Sequence, residues 1–234
     1  MPKPFNVCKT DTLLVAAASR PRWERRKDSR PHELLAAALD LFVERGFAAT
    51  RLEDVAARAG VSKGTLYLYF ENKHELFKAV VREGIVPAID EGEQFVEQYE
   101  GHTKDLFREF MQGWWRALGD PRVSGISKLV VSEAGNFPEI AAFYFEEVIA
   151  RRNALIERVL KRGVARGEFR VIDVASVRSF LVAPILMLMM WRHAFGTCSG
   201  ESIDPKTYID SFIDFSLQGL LQPEAPQQEP ALEE

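Results

Sequence analysis

Cysteine is nearly absent from this 234-residue chain: Cys8 and Cys198 stand alone, neither in a CxxC pair. The four histidines, His32, His74, His102 and His193, are scattered. No group has the spacing of a metal site, and two isolated thiols exclude a disulfide-framed scaffold. The expectation is free thiols in a reducing compartment, with no metal and no cofactor. Long apolar runs are missing too. Leu13–Ala18 is six residues long and follows Asp11, whereas a secretory h-region takes about 7–15 residues. The longest uncharged run, Ser179–Trp191, is interrupted by Pro184 and falls short of the roughly 20 residues of a spanning helix. A soluble, cytoplasmic protein without a membrane partner is expected. Catalytic signatures are also lacking: there is no GxSxG, no P-loop, no GxGxxG behind a strand and no HExxH.

What is present is 47% hydrophobic and 27% charged residues, enough for a sizeable core in one or two domains. The formal net charge of −4, taken whole, argues against a polyanionic partner. The charge is unevenly placed, however. Residues 1–80 hold 14 Lys and Arg against 10 Asp and Glu, a net of +4, and residues 81–234 hold 16 against 24, a net of −8. An anion-binding end joined to a different body is one reading of that asymmetry; chance variation is the other.

Hydrophobic periodicity predicts an all-α chain. Residues 1–28 read as an irregular basic arm, with Arg20, Arg22, Arg25, Arg26 and Lys27 around Trp23. A first helix is expected from about Pro31, because proline is tolerated at a first helical position. Leu34, Leu35, Ala38, Leu41 and Phe42 share its inner face. Gly46 supplies a left-handed stop, after which Phe47 folds back. Thr50-Arg-Leu-Glu53 reads as a capping box for a second helix that ends at Gly60. Ser62 caps a third, Lys63–Tyr69, and Asn72 opens a fourth. Further helices are expected at 72–99 (kinked or ended by Pro87), 103–118, 122–134, 137–166, 173–196 and 205–221. The expected organisation is an arm at 1–28, a three-helix helix-turn-helix domain at 29–88, and a larger helical domain at 89–222. The tail, 223–234, with three Pro and four Glu, reads as disordered and acidic.

Residues 50–73 carry the functional signal. Two short helices meet at a Gly60-Val61-Ser62 turn, which is helix-turn-helix geometry. The second offers Lys63, Gly64, Thr65, Tyr67 and Tyr69 outward, a face too polar for a core helix. Such a helix fits the DNA major groove with its N-terminal residues toward the base edges. Gly64 permits close backbone approach, the Thr65 methyl can meet thymine, and Tyr67 and Tyr69 can bond phosphates. The N–H groups opening at Asn72 form an anion site, and Lys73 on that first turn would oppose the helix dipole unless a phosphate lay beside it. Short helix pairs of this kind also occur as plain scaffold.

The stretch Leu52–Phe77, LEDVAARAGVSKGTLYLYFENKHELF, resembles the DNA-binding signature of the TetR/AcrR family of bacterial transcriptional regulators. The matching elements are Gly46-Phe47-x-x-Thr50, Ala56-x-x-Ala59-Gly60-Val61-Ser62, Gly64-Thr65-Leu66-Tyr67-x-Tyr69-Phe70 and Lys73-x-x-Leu76, within about residues 30–85. The resemblance implies a non-enzymatic regulator. It implies phosphate contacts at Thr50, Tyr67 and Lys73, and a groove position for Lys63, Gly64 and Thr65. Arg51, Ser62 and Tyr69 complete the expected DNA-binding set, with possible arm contacts at Arg25 and Arg26. Two positions depart from the commonest pattern. Leu68 stands where many members have Tyr or another polar residue, and Tyr69 where His is frequent. These changes bear on the operator and not on the fold.

The body has aromatic and Met-rich helices. Ordinary core packing is one reading of them. The resemblance implies a ligand cavity between such helices, here assigned to Phe107, Met111, Trp114, Trp115, Phe143, Met187, Trp191 and His193, with His193 or Glu133 as polar anchor. A lipophilic or aromatic small-molecule effector is expected. The family pairs its last two helices with those of a second subunit, so a homodimer on a palindromic double-stranded DNA operator is expected, its half-sites about 34–36 Å apart or a multiple of it. The resulting expectation is a ligand-responsive repressor released from its operator by the effector. Its alternatives are a transcriptional activator, a ligand-independent DNA-binding protein and, more remotely, a small helical enzyme.

Overall fold

A computed structural model of the chain describes residues 22–196, 198 and 203–222, with side chains from Arg30 onward. Among the described residues the structure is helical, with one isolated bridge between Phe169 and Leu221. The expected tail at 223–234 and arm residues 1–21 lie outside the described residues.

Helix α1 (Arg22–Ala49) passes through Pro31 and does not start there. Residues 22–29 are Arg, Glu, Lys and other residues compatible with a helix, with no glycine among them. The proline costs the helix one i→i−4 bond without ending it. The irregular arm expected over 22–28 is therefore helical backbone. That includes the backbone of Arg25 and Arg26, whose side chains are not among those described.

At Gly46 the chain leaves helical geometry with φ 83°, a conformation that disfavours any Cβ. The turn drives Phe47 into the core. Its ring stacks on Phe42 (5.6 Å between centroids) and meets Phe77 edge-on (5.7 Å). Helices α2 (Leu52–Arg58), α3 (Lys63–Tyr67) and α4 (Lys73–Gly84) follow. Pro87 occupies the first turn of a new helix, α5 (Val86–Gln98), so α4 ends at Gly84 and Ile85 joins the two.

The body continues with α6 (Thr103–Leu118), α7 (Pro121–Glu133), α8 (Pro138–Tyr144), α9 (Arg151–Ala165), α10 (Val174–Met190) and α11 (Pro205–Leu220). Asp120, Asp173 and Asp204 cap α7, α10 and α11 by accepting from backbone N–H groups. Wide π turns join α8 to α9 (Phe145–Ala150) and extend α10 (Trp191–Phe195). Each inserts residues without breaking the helix and so rotates the following face.

One continuous core runs from α1 to α11. Helix α1 packs on both α4 and α7, and α7 reaches the body through α6, α8 and α10. Gly125 of α7 permits this approach, since a Cβ there would lie 2.7 Å from the Val43 side chain. Phe47 also meets Phe137 across the junction, at 4.8 Å. The segment Val174–Phe195 is long and apolar enough to cross a bilayer by length and composition, which the shorter uncharged run alone did not reveal. Its inner face, including Leu181, Ile185 and Leu188, is buried in the body.

Candidate functional site

The reading head is built from the α2–α3 turn outward. Gly60 takes φ 67°, and Val61 N–H donates to the Ala56 carbonyl (2.9 Å), reversing the chain in three residues. Ser62 caps α3 by accepting from Thr65 N–H (3.1 Å), and the two hydroxyls lie 2.8 Å apart. Leu66 is fully buried and pins α3 to the head. Ser62, Lys63, Gly64, Tyr67, Leu68 and Tyr69 face outward together, Thr65 is half-buried beside them, and Arg51 is exposed at the start of α2. Leu68, 83% exposed, is an apolar side chain in the middle of this face.

Lys63 is positioned before any ligand arrives. It forms an ion pair with Glu53 of α2 and lies 5.7 Å from the centre of the Tyr67 ring. The Lys63 hydrogen bond holds the Glu53 carboxyl below its usual range, and Glu53 raises Lys63 in turn.

Thr50 and Lys73 have a different environment from the phosphate contact implied by resemblance. Thr50 is 1% exposed, and its hydroxyl donates into the end of α1, to Gly46 O (2.7 Å) and Leu41 O (3.1 Å). It therefore forms no capping box, and the residue ahead of α2 is Arg51. Lys73 Nζ donates to the carbonyls of Phe47 (2.6 Å), Ala48 (3.0 Å) and Thr50 (3.0 Å) and rides over the Phe47 ring. These bonds use all three ammonium donors. The cation that looked misplaced at the start of α4 instead serves the carbonyl-rich end of α1, where a positive charge is favourable. Burial pulls its pKa below the usual lysine value, against an opposing pull from Glu133. Asn72 caps α4 as expected, accepting from Glu75 N–H at 3.0 Å.

Behind the head, α5, α6, α7, the α8–α9 segment and α10 line a cavity of about 130 Å³. Of the residues expected to line it, Trp114 does so. Phe107 and Met111 are sealed in closed core, Phe107 against Phe169. Trp115 lies under Arg192, and Phe143 carries Lys78 and Arg82 over its ring on the head side. Met187 is exposed, and Trp191 packs on Phe195. His193 Nε2 lies 2.6 Å from Ser124 Oγ, and Glu133 binds Asn136. Aromatic density marked the right helix, α6. Its 100° step per residue then turns Phe110 and Trp114 inward and their neighbours away. The polar groups in the wall are Ser127, Tyr144 and Arg152, with Ser127 Oγ and Tyr144 OH 2.8 Å apart. None of the three is among the residues expected to line the cavity, because a lone Ser, Tyr or Arg on a helix carries no local signal of which way it faces. Among the described residues, no group of three or more His, Cys, Asp or Glu side chains could hold a metal.

The profile described as bacterial regulatory proteins, tetR family, matches residues 34–80, and one described as a tetracyclin repressor-like C-terminal domain matches residues 100–197. The chain is 27% identical over 177 residues to the HTH-type transcriptional repressor KstR2 of Mycolicibacterium smegmatis, spanning 75% of this chain and 85% of that one. It is 46% identical over 56 residues to the HTH-type transcriptional activator FasR of the same organism, 24% of this chain and 26% of that one. In fold it is similar to the transcriptional regulator FadR from Bacillus subtilis, solved in complex with stearoyl-CoA. That match has a TM-score of 0.68 at 20% identity, covering 80% of this chain and 98% of that one.

Proposed function

Because this chain belongs to the TetR family of bacterial transcriptional regulators, and is a DNA-binding regulator and not an enzyme, we propose that it is a cytoplasmic, homodimeric repressor released from a palindromic operator by a small lipophilic or aromatic effector. The observation that carries this reading is α7. One rigid helix lines the cavity with Ser127 and Val130 and packs on α1 of the reading head through Gly125. Its Arg122 also binds Asp40 of α1, with Nε at 2.9 Å. Ile85, where α4 gives way to α5, lines the cavity as well. An effector that prefers one placement of α7 and Ile85 shifts the population of head spacings, and only that difference in affinity releases DNA.

Groove contacts are assigned to Ser62, Lys63, Gly64 and Thr65. Phosphate contacts are assigned to Arg51, Tyr67 and Tyr69, supplemented by Arg25 and Arg26 at the start of α1. Thr50 and Lys73 hold the head in shape beneath them. The dimer is assigned to α10 and α11, whose outer faces expose Phe180 (71%), Met187 and Phe215 (79%). Exposed apolar side chains on that scale mark an interaction surface. Twofold pairing also matches a palindrome that one short helix could not read alone. The repressor relative supports release as the mode of response, and the acyl-CoA-bound structure supports a lipophilic effector class.

The test is footprinting on DNA flanking the protein's own gene, repeated with a panel of lipophilic compounds. A protected palindrome that is lost on adding a compound is expected. Protection indifferent to every compound overturns the effector, and protection of no DNA overturns the regulator.

A further inference from the structure

Neighbouring arginines around the cavity have carboxylate partners. Arg151 binds Asp90 (2.5 Å) and Glu93 (2.9 Å), and Arg178 binds Glu157 (2.5 Å). Arg152 differs. It lies just beyond the π turn and in the wall of the cavity. Among the described residues no carboxylate pairs with it. One Nη donates to the neutral amide oxygen of Asn153 (3.0 Å), and the guanidinium lies 5.3 Å from the centre of the Trp114 ring. Its Nε is buried with no partner at all. Burial pulls its pKa below the usual arginine value, and like charge on Arg178 adds to that.

A half-buried guanidinium left without a counter-charge, its Nε shielded from water, is a costly feature for a fold to carry. Here it faces a cavity that is otherwise apolar save for the Ser127 and Tyr144 hydroxyls. We propose that the missing counter-charge belongs to the ligand: the cavity takes an amphipathic monocarboxylate whose carboxylate binds Arg152 and whose apolar body packs on Trp114, Phe110, Ile89 and Met189.

The planar guanidinium matches a carboxylate by paired N–H···O bonds. The neighbouring hydroxyls can donate to the same oxygens. One cation balances one negative charge. A head with several phosphate charges placed at Arg152 would leave the excess uncompensated among apolar side chains. The proposal deepens the effector reading and rests on it, by naming the effector's class. Ser127 belongs to α7, so an anion held between Arg152 and Ser127 would act on the helix that abuts the reading head.

The test is calorimetric titration of the free, full-length protein with decanoate, decan-1-ol and decylammonium, which share a chain and differ in head charge. Decanoate is expected to bind at least about ten-fold more tightly than decanol, as a charge-assisted bond predicts, with decylammonium weakest. Arg152→Met should weaken decanoate at least about ten-fold and abolish its advantage over decanol. Arg152→Lys should keep a reduced preference for the acid, and both variants are checked for wild-type helix content. Equal binding of decanoate and decanol by the wild type overturns the proposal. So does decanoate affinity untouched by Arg152→Met, and so does failure of both decanoate and 4-phenylbutyrate to bind below about 1 mM. Decanoyl-CoA binding more tightly than decanoate, and equally to Arg152→Met, overturns it in favour of a thioester whose charges stay outside.

No DNA enters these titrations. A protein that binds decanoate through Arg152 but protects no operator rejects the regulator and keeps the carboxylate site. Operator binding with no acid binding does the reverse.

Discussion

Gly64 faces open space: a Cβ built there would meet only Ser62 Oγ, at 3.8 Å. The protein therefore has no internal need for glycine at this position, and an approaching partner supplies one. Alanine adds helix propensity of about 0.5–1 kcal/mol relative to glycine. Gly64→Ala should raise the melting temperature slightly while lowering operator affinity at least about ten-fold, because the new methyl group occupies space the DNA backbone or base edges need. Lys73 is the opposite case. Lys73→Ala removes three bonds to the carbonyls closing α1 and should cost about 2 kcal/mol in denaturant unfolding. Any loss of operator affinity should follow from that loosened head. A variant of unchanged stability and weakened binding would restore Lys73 as a direct phosphate ligand. The outward position of the glycine was legible in the sequence. The lysine's bonds to α1 were not legible, because its partners lie about 25 residues earlier and only folding brings them under its ammonium.

At the scale of elements, caps were the most legible features. Ser62 and Asn72 stand where their spacing put them, and α6 begins and ends at the residues expected. The π turns had no visible signal, because an inserted residue leaves apolar spacing only slightly altered. The second of them forms a joint with α7 through His193 and Ser124. Burial, with Lys128 and Arg192 beside it, holds His193 below the ordinary value of 6.5. As pH falls through about 6.5, the unfolded chain takes up this proton before the folded protein does. Stability from this site is thus complete above that pH and is lost as pH falls toward the folded value. His193→Gln keeps a polar partner for Ser124 and does not titrate. Its melting temperature should fall less than the wild type's between about pH 7.5 and 5.5 in thermal scans. An equal fall in both proteins would remove His193 from the account.

For the whole molecule, the two exposed phenylalanines of α10 and α11 make the assembly testable. Phe180→Lys with Phe215→Lys places like charges across a twofold interface and should convert a dimer to a monomer in light scattering, with operator affinity falling at least about a hundred-fold. The arm belongs to this scale too, since Arg25 and Arg26 stand more than a full turn ahead of Pro31 on α1. Arg25→Ala with Arg26→Ala should flatten the salt dependence of operator binding by up to about two units per protomer, near 0.9 for each phosphate no longer neutralised. An unchanged slope would remove the arm from the interface.

Local chemistry was enough to establish an all-α chain with a helix-turn-helix head and its outward-facing residues. Caps, glycine turns and helical periodicity act within a few residues of one another, so the linear order records them. Tertiary structure alone decided which face of α6 meets the cavity, that Lys73 serves α1, and that Arg152 stands in the cavity wall with no carboxylate partner among the described residues. Each of those depends on what distant helices place beside a side chain, and so does the free energy of a buried charge. The uneven charge that first pointed to an anion-binding head was visible in the composition. The cation in the cavity wall that points to the ligand, Arg152, emerged only when the helices packed around it.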